Sequence, residues 1–189
     1  MAHIPTPSQT VGPYLHLGLT WNTTPDLTLG NPKGERIVIQ GRVLDGEGQP
    51  IPDALIEIWQ ANAAGRYNHP EDTQDKPLDS GFKGFGRVPT DKEGRFRFTT
   101  MKPGAVPGPG NSLQAPHVNV CLSMRGMLRH LYTRIYFSDE AGNANDPVLG
   151  LIEDAGRRAT LVADKKAGAA EYRWDIVMQG ANETVFFDA

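Results

Sequence analysis

The stretch RIVIQGRVLDGEGQPIPDALIEIWQ, residues 36–60, decides the fold class. Apolar and polar side chains alternate on both sides of its centre, which is the pattern of β-strands that bury one face. The central segment DGEGQP, 45–50, is rich in the Asp, Gly and Pro residues that form turns. The stretch therefore predicts two strands, Arg36–Leu44 and Ala54–Gln60, joined by a short connection.

The same alternation recurs along the rest of the chain and predicts an all-β protein. Its β-branched and aromatic residues indicate four more strands, at Arg95–Thr100, His117–Met124, Leu131–Phe137 and Tyr172–Gln179. Asp146 and Pro147 suit the first positions of one short helix that ends near Gly156. Loops are expected at 1–30, 69–87 and 105–115. Short strands with this spacing are typical of an antiparallel β-sandwich.

The composition disfavours several classes of partner and site. The chain has 19 Lys and Arg against 22 Asp and Glu, a net charge of −3 and no basic block, so neither nucleic acid nor an anionic membrane is expected to bind. Cys121 is the only cysteine, which excludes a disulfide within the chain and a thiolate metal cluster. Residues 1–10 do not resemble a secretory leader, and no apolar run approaches 18 residues. We therefore expect a cytoplasmic protein.

The segment PHVNVCL, 116–122, is the most informative for chemistry. Period two places His117, Asn119 and Cys121 on one face of the strand and the aliphatic residues on the other. A histidine with a second ligand two residues on can hold a metal, and Tyr67 in a preceding loop could add a phenolate. Asn119, however, is a poor ligand for a hard ferric ion. The residues alone leave open whether His117 is a ligand or a hydrogen-bonded histidine at the edge of the core.

Two further features lie outside this strand. Arg125 follows it directly, beside Gly126, where the chain must reverse. A guanidinium at such a place can bind a carboxylate in bidentate fashion, or it can be a solvated turn arginine. The N-terminal segment 6–19 is interrupted by Pro and Gly but carries several apolar residues, so this arm needs a surface on which to lie.

Taken together, these residues resemble the intradiol ring-cleaving dioxygenases. The resemblance runs through nearly the whole chain, in order. It is carried by TPSQTVGPYLHLGL (6–19), GRVLDGEGQPIPDALIEIWQANAAGRY (41–67), TDKEGRFRFTTMKPGAVPG (90–108), APHVNV (115–120), TRIYFSDEAGNANDPVL (133–149) and GANETVFFD (180–188). It implies a prealbumin-like antiparallel β-sandwich with long loops, an N-terminal arm and one short helix. It also implies opening of a catechol carboxylate by O₂ at a non-haem Fe(III) centre.

The family holds its iron with two tyrosinates and two histidines, and this chain matches only half of that set. Tyr67 and His117 fall on the first tyrosine and the first histidine, whereas Val106 and Asn119 fall on the second of each. The arginine that precedes the first histidine by three residues in catalytic chains falls on Gln114. The resemblance thus implies vestigial ligand positions and no metal in this chain.

This pattern resembles the non-catalytic α-type chain of heteromeric family members, whose homologous β chain carries the iron. Such a chain contributes residues to the β chain's substrate pocket, and the corresponding positions here are Thr10, Gly12, Pro13, Tyr14 and Arg125. The resemblance implies that the arm, 1–30, packs on this partner, that 31–189 forms the sandwich domain, and that αβ pairs build a larger oligomer.

Two other functions remain open at this point. A stand-alone binding or structural sandwich would be a stable monomer without a partner. A self-sufficient dioxygenase with an unusual site would be coloured by tyrosinate-to-iron charge transfer when purified alone.

Overall fold

The computed structural model describes residues 4–188 of the chain, and strands dominate them. The strands are β1 (Arg36–Leu44), β2 (Ala54–Trp59), β3 (Phe85–Pro89), β4 (Arg95–Met101), β5 (Val106–Pro107), β6 (Leu113–Gln114), β7 (His117–Met124), β8 (Leu131–Phe137), β9 (Val162–Lys165), β10 (Glu171–Arg173) and β11 (Ile176–Val177). The helices are α1 (Tyr14–Gly18) and α2 (Ala155–Ala159), with 3₁₀ turns at Ala141–Asn145 and Leu149–Leu151. The all-β class predicted from the alternation is confirmed.

Nine strands form one mixed, nearly closed sheet. Its order is β11-β1-β10-β9-β8-β7-β2-β3, and β4 pairs with the remaining side of β1. The turn 90–94 joins β3 directly to β4, which brings the two ends of the sheet close together. The expectation of purely antiparallel pairing was wrong, because β1 runs parallel to β10 and β11, and β8 runs parallel to β9. These parallel pairs all involve β9, β10 or β11, the short strands of the C-terminal part of the chain.

The core lies inside this curved sheet and is built from the inward-facing residue of each alternating pair. It includes Ile37, Ile39, Val43, Ile56, Ile58, Phe96, Phe98, Val118, Val120, Leu122, Ile135 and Phe137, all buried. Full burial of one such side chain contributes about 1.5–3 kcal/mol. Gly41 marks the tightest approach, since a Cβ atom there would lie 1.6 Å from the carbonyl oxygen of Trp174. Sequence alternation therefore specifies the core directly.

The predicted strands agree with the structure in most places. Those at Arg36–Leu44, His117–Met124 and Leu131–Phe137 match to the residue. The predicted strand Tyr172–Gln179 is instead divided into β10 and β11. The break has a local cause: the Asp175 carboxylate accepts a hydrogen bond from the Arg42 backbone N–H at 2.9 Å, a donor otherwise available to the ladder.

Some elements were not predicted. β3 lies partly in the segment predicted to be a loop, and its Gly86 and Pro89 are poor strand formers. Packing favours Gly86 nonetheless, because a Cβ atom there would lie 2.8 Å from the Leu27 Cδ1 atom. The short β5, β6 and β9 and the helix α1 were also missed.

The predicted helix after Asp146 is only a 3₁₀ turn. The Asp146 Oδ1 atom does cap it, accepting from the backbone N–H groups of Val148 at 2.9 Å and Leu149 at 2.8 Å. A separate helix, α2, starts after Asp154, which caps it through Arg157 N–H. Asp146 therefore accepts backbone hydrogen bonds at the start of the turn as predicted, but the N-cap position is Val148, and the predicted length and the end near Gly156 were wrong. Among residues 4–188, no helix is long and apolar enough to cross a membrane.

Candidate functional site

The outer face of β7 carries the polar residues that the sequence placed there. Along β7, Val118, Val120 and Leu122 are buried in the core, and the side chains between them point to the opposite face. His117 lies on that opposite face but is itself 97% buried, being 3% exposed. Loops cover this end of the strand and turn the polar face into a pocket.

The structure brings the four vestigial ligand positions together. Tyr67, Val106 and His117 line one pocket of about 450 Å³. Asn119 reaches the same place, because its Nδ2 atom donates to the Tyr67 hydroxyl at 3.2 Å. The hairpin β5–β6 sets Val106 opposite Gln114, which lines the pocket as well. Residues separated by up to 52 positions in the chain are thus brought together around one pocket.

His117 is held as a neutral imidazole. Its Nδ1 atom lies 2.8 Å from the Ala115 carbonyl oxygen, so Nδ1 carries the proton and Nε2 keeps a lone pair. Burial, followed by the nearby Arg134 charge, lowers the His117 pKa to about 4. The Tyr67 ring stacks on Trp59 with ring centroids 5.9 Å apart, and burial raises the pKa of its phenol. Both side chains are uncharged at neutral pH.

A cation occupies this site that the sequence reasoning missed. Arg134 is the cross-strand partner of Asn119 in the β7–β8 ladder and lines the pocket. Its Nη1 atom donates to the Gln114 side-chain oxygen at 2.7 Å. Gln114 was expected to mark the absence of the family's arginine, and it binds a guanidinium from a different strand instead. The register of β7 against β8, which could have identified Arg134, cannot be read from either strand alone.

These residues do not fit an iron ion. Tyr67 and His117 supply two donors, Val106 has no coordinating atom, and Asn119 offers only a weak neutral one. The fixed positive charge of Arg134 further disfavours a ferric ion at this position. Among residues 4–188, no cluster of three or more His, Cys, Asp or Glu side chains could hold a metal. Cys121, on the same face of β7, is not an activated thiol, because burial raises its pKa to about 11.

The second predicted group of residues lies at the opposite end of β7. Seven residue steps separate His117 from Met124, or about 23 Å, and Arg125 follows in a turn where Gly126 has a φ of +87°. The Arg125 Nε atom lies 2.5 Å from the Asp53 carboxylate, with 59% of its side chain exposed. The Gly126 N–H donates to the Thr10 hydroxyl oxygen at 2.7 Å. The arm and the Arg125 turn therefore meet.

The other predicted arm residues, Gly12, Pro13 and Tyr14, come shortly after Thr10 in the chain. Gly12 has a φ of +56°, Pro13 precedes α1, and the Pro13 carbonyl accepts from Leu17 N–H. Leu15 is buried at 2% exposure, whereas Tyr14 is 77% exposed. Helix α1 thus buries Leu15 and leaves Tyr14 exposed to solvent.

Comparison with known proteins agrees with this architecture. A family profile described as "Dioxygenase" matches residues 11–180. The chain is 44% identical to the protocatechuate 3,4-dioxygenase alpha chain of Burkholderia cepacia, over 97% of this chain and 96% of that one. It is 41% identical to the beta chain of the same species, over 94% of this chain and 77% of that one.

Among solved structures, the dioxygenase domain of a dioxygenase and carbohydrate-binding fusion from Streptomyces sp. SirexAA-E superimposes with a TM-score of 0.63. It is 26% identical, and the match covers 94% of this chain and all of that one. The profile spans most of the chain and both relatives exceed 40% identity, so the chain belongs to the intradiol dioxygenase family.

Proposed function

We propose that this chain is the α subunit of a protocatechuate 3,4-dioxygenase, a non-iron-binding chain that completes the active site of a ferric β chain. The observation that carries the proposal is the composition of the assembled pocket. Tyr67 and His117 come together with Val106 and Asn119 in place of the other two ligands, and the Arg134 guanidinium lines the same pocket. A chain with the family's fold and half of its ligand set fits the α role and not the β role.

In this assembly the partner is a homologous β subunit with the full Tyr, Tyr, His, His set, and its cofactor is Fe(III). The reaction is intradiol cleavage of protocatechuate by O₂ to 3-carboxy-cis,cis-muconate, in which the ring opens between the two hydroxyl-bearing carbons. Its place is aromatic catabolism through the β-ketoadipate pathway, in the cytoplasm. The finer fold assignment that goes with this role is a prealbumin-like sandwich.

The arm, within 1–30, is the part of this chain that packs on the partner, while 31–189 form the sandwich domain. Exposed apolar side chains support this division, since they concentrate in the arm: Ile4, Val11, Tyr14, Leu17, Trp21 and Leu29. Trp21 is 76% exposed. Clustered exposure of large apolar residues marks an interaction surface, and obligate pairs commonly bury more than about 2,000 Å². An (αβ)n oligomer covers this surface.

Arg125, Thr10, Gly12, Pro13 and Tyr14 are this chain's contribution to the β chain's substrate pocket. The hydrogen bond from Gly126 N–H to the Thr10 hydroxyl oxygen, which brings the arm to the turn after Arg125, supports that role. The Asp53 carboxylate pairs with the Arg125 Nε atom at 2.5 Å. A guanidinium fixed in this way is suited to bind the substrate carboxylate.

Co-production with a homologue that carries all four ligands tests this function. Each chain is assayed alone and together for O₂ consumption with protocatechuate and for bound iron. We expect full activity only from the pair. Full activity from the β homologue alone, with no gain from this chain, would refute the site-completing role.

A further inference from the structure

The pocket around Tyr67 and His117 contains a guanidinium without a counter-ion. Arg134 donates from Nη1 to Gln114 at 2.7 Å and to the Tyr136 hydroxyl at 3.4 Å. Within residues 4–188 it makes no ion pair with a carboxylate, and Asp146 reaches it only through Tyr136, at 3.1 Å. Only its Nη1 atom has hydrogen-bond partners within residues 4–188, and the side chain lines the pocket, so an anion in the cavity would stabilise this half-buried charge.

Two neighbouring groups add a definite hydrogen-bonding pattern. The Tyr67 hydroxyl oxygen accepts from Asn119, so its own proton is free to be donated into the pocket. The His117 Nδ1 proton is used by the Ala115 carbonyl, so the Nε2 lone pair is free to accept. The cavity thus presents a cation, a hydroxyl donor and an imidazole acceptor within one site.

The walls of the pocket restrict the shape and the charge of an occupant. The stacked pair of Trp59 and Tyr67 forms a flat aromatic wall, and Val106 and Pro107 add apolar surface. The loop 69–74 contributes an acidic wall, the carboxylates of Glu71 and Asp72. The Asp72 carboxylate already accepts from the backbone N–H groups of Tyr67 and Gln74. The Glu71 carboxylate can accept from a ligand hydroxyl, and both repel a second negative charge on the ligand. A volume of about 450 Å³ accommodates a single substituted ring.

We infer that this pocket is a metal-free binding site for a small hydroxylated aromatic monocarboxylate. The carboxylate binds Arg134 and the Tyr67 hydroxyl proton, the ring lies against Trp59, and a ring hydroxyl donates to His117 Nε2 or to the acidic wall. The guanidinium supplies the positive charge at the place where the metal ligands have been lost. The site belongs to this chain's own residues and performs no chemistry.

The test is calorimetric titration of 4-hydroxybenzoate into the full chain, in the form in which it is purified, alone or with its partner. Arg134→Gln is expected to raise the Kd for binding to the pocket around Tyr67 and His117 about 10- to 150-fold, because it removes a charge-assisted hydrogen bond. Arg173→Gln is the matched control and should bind as the wild type does, because Arg173 lies on another face and pairs with Asp175. Methyl 4-hydroxybenzoate, which has no charge, should bind wild type and Arg134→Gln alike.

A second variant keeps the test decisive if Arg134→Gln does not fold. Tyr67→Phe removes one neutral donor and should weaken binding about 2- to 10-fold. Phthalate, with two carboxylates, should bind more weakly than 4-hydroxybenzoate. Identical isotherms for wild type and Arg134→Gln, or no binding to the wild type, would overturn the inference. Ring cleavage measured in parallel separates it from the proposed function, because either result can fail without the other.

Discussion

Replacing Arg125 with Ala tests the proposal that this side chain binds the substrate carboxylate in the assembled enzyme. In the free chain Arg125 is 59% exposed and pairs with Asp53, and an exposed ion pair contributes at most about 1 kcal/mol to stability. The variant should therefore fold and assemble normally. In the complex, loss of one charge-assisted hydrogen bond to the substrate carboxylate costs about 1.5–3 kcal/mol. We predict that kcat/KM for protocatechuate falls about 10- to 150-fold.

The assay is steady-state O₂ consumption by the assembled complex, with iron content measured on the same samples. Plain catechol lacks the carboxylate, so its kcat/KM should change much less. Arg129→Ala provides the matched control, because Arg129 is an exposed arginine of the same connection between β7 and β8. Wild-type kcat/KM in Arg125→Ala, or an equal loss on both substrates, would show that Arg125 does not contact the carboxylate.

Three further predictions concern the vestigial pocket and the arm. The chain alone should bind no stoichiometric ferric iron by metal analysis. A triple variant, Val106→Tyr, Asn119→His and Arg134→Gln, should gain iron and a visible tyrosinate band. If the double variant that keeps Arg134 binds iron equally well, the guanidinium does not oppose the metal. The His117 pKa is about 4 in the folded protein, against an ordinary value of 6.5, so the unfolded chain takes up the proton first as the pH falls. The free energy of unfolding should therefore decrease by about 2–3 kcal/mol between pH 6.5 and pH 4. Chemical denaturation of the complex at pH 7 and pH 4.5 should show this decline, and a His117→Gln variant with an equal decline would contradict it. The chain without a partner should self-associate in size-exclusion chromatography, and a sharp monomer peak that lasts for days would disprove the exposed-arm argument.

The sequence predicted those parts of the fold that depend on local alternation. β1, β7 and β8 bury alternate aliphatic side chains, and each was predicted to the residue. β3 was missed because its Gly86 and Pro89 are poor strand formers on their own. The close packing of Leu27, Ile58 and Phe98 around Gly86 explains that glycine. The parallel pairings were missed because strand direction depends on which distant segments meet.

In the candidate site, too, local positions could be predicted from the sequence and contacts between distant segments could not. The resemblance, taken position by position, predicted that Val106 and Asn119 stand where the family has its second tyrosine and second histidine. Arg134 could not, since its place in the pocket depends on the β7–β8 register and on Gln114 from the hairpin β5–β6. The contact between Thr10 and the Arg125 turn spans 116 residues, and no local pattern encodes it.

The central claim is that this chain contributes no ligand to the iron of the assembled enzyme. It is tested most directly by the iron content and the visible tyrosinate-to-iron band of the purified complex that carries Tyr67→Phe in this chain. Our account predicts one iron per pair of chains and an unchanged band, because every ligand belongs to the partner. Loss of iron or of the band in Tyr67→Phe would show that Tyr67 is a ligand and would contradict the account.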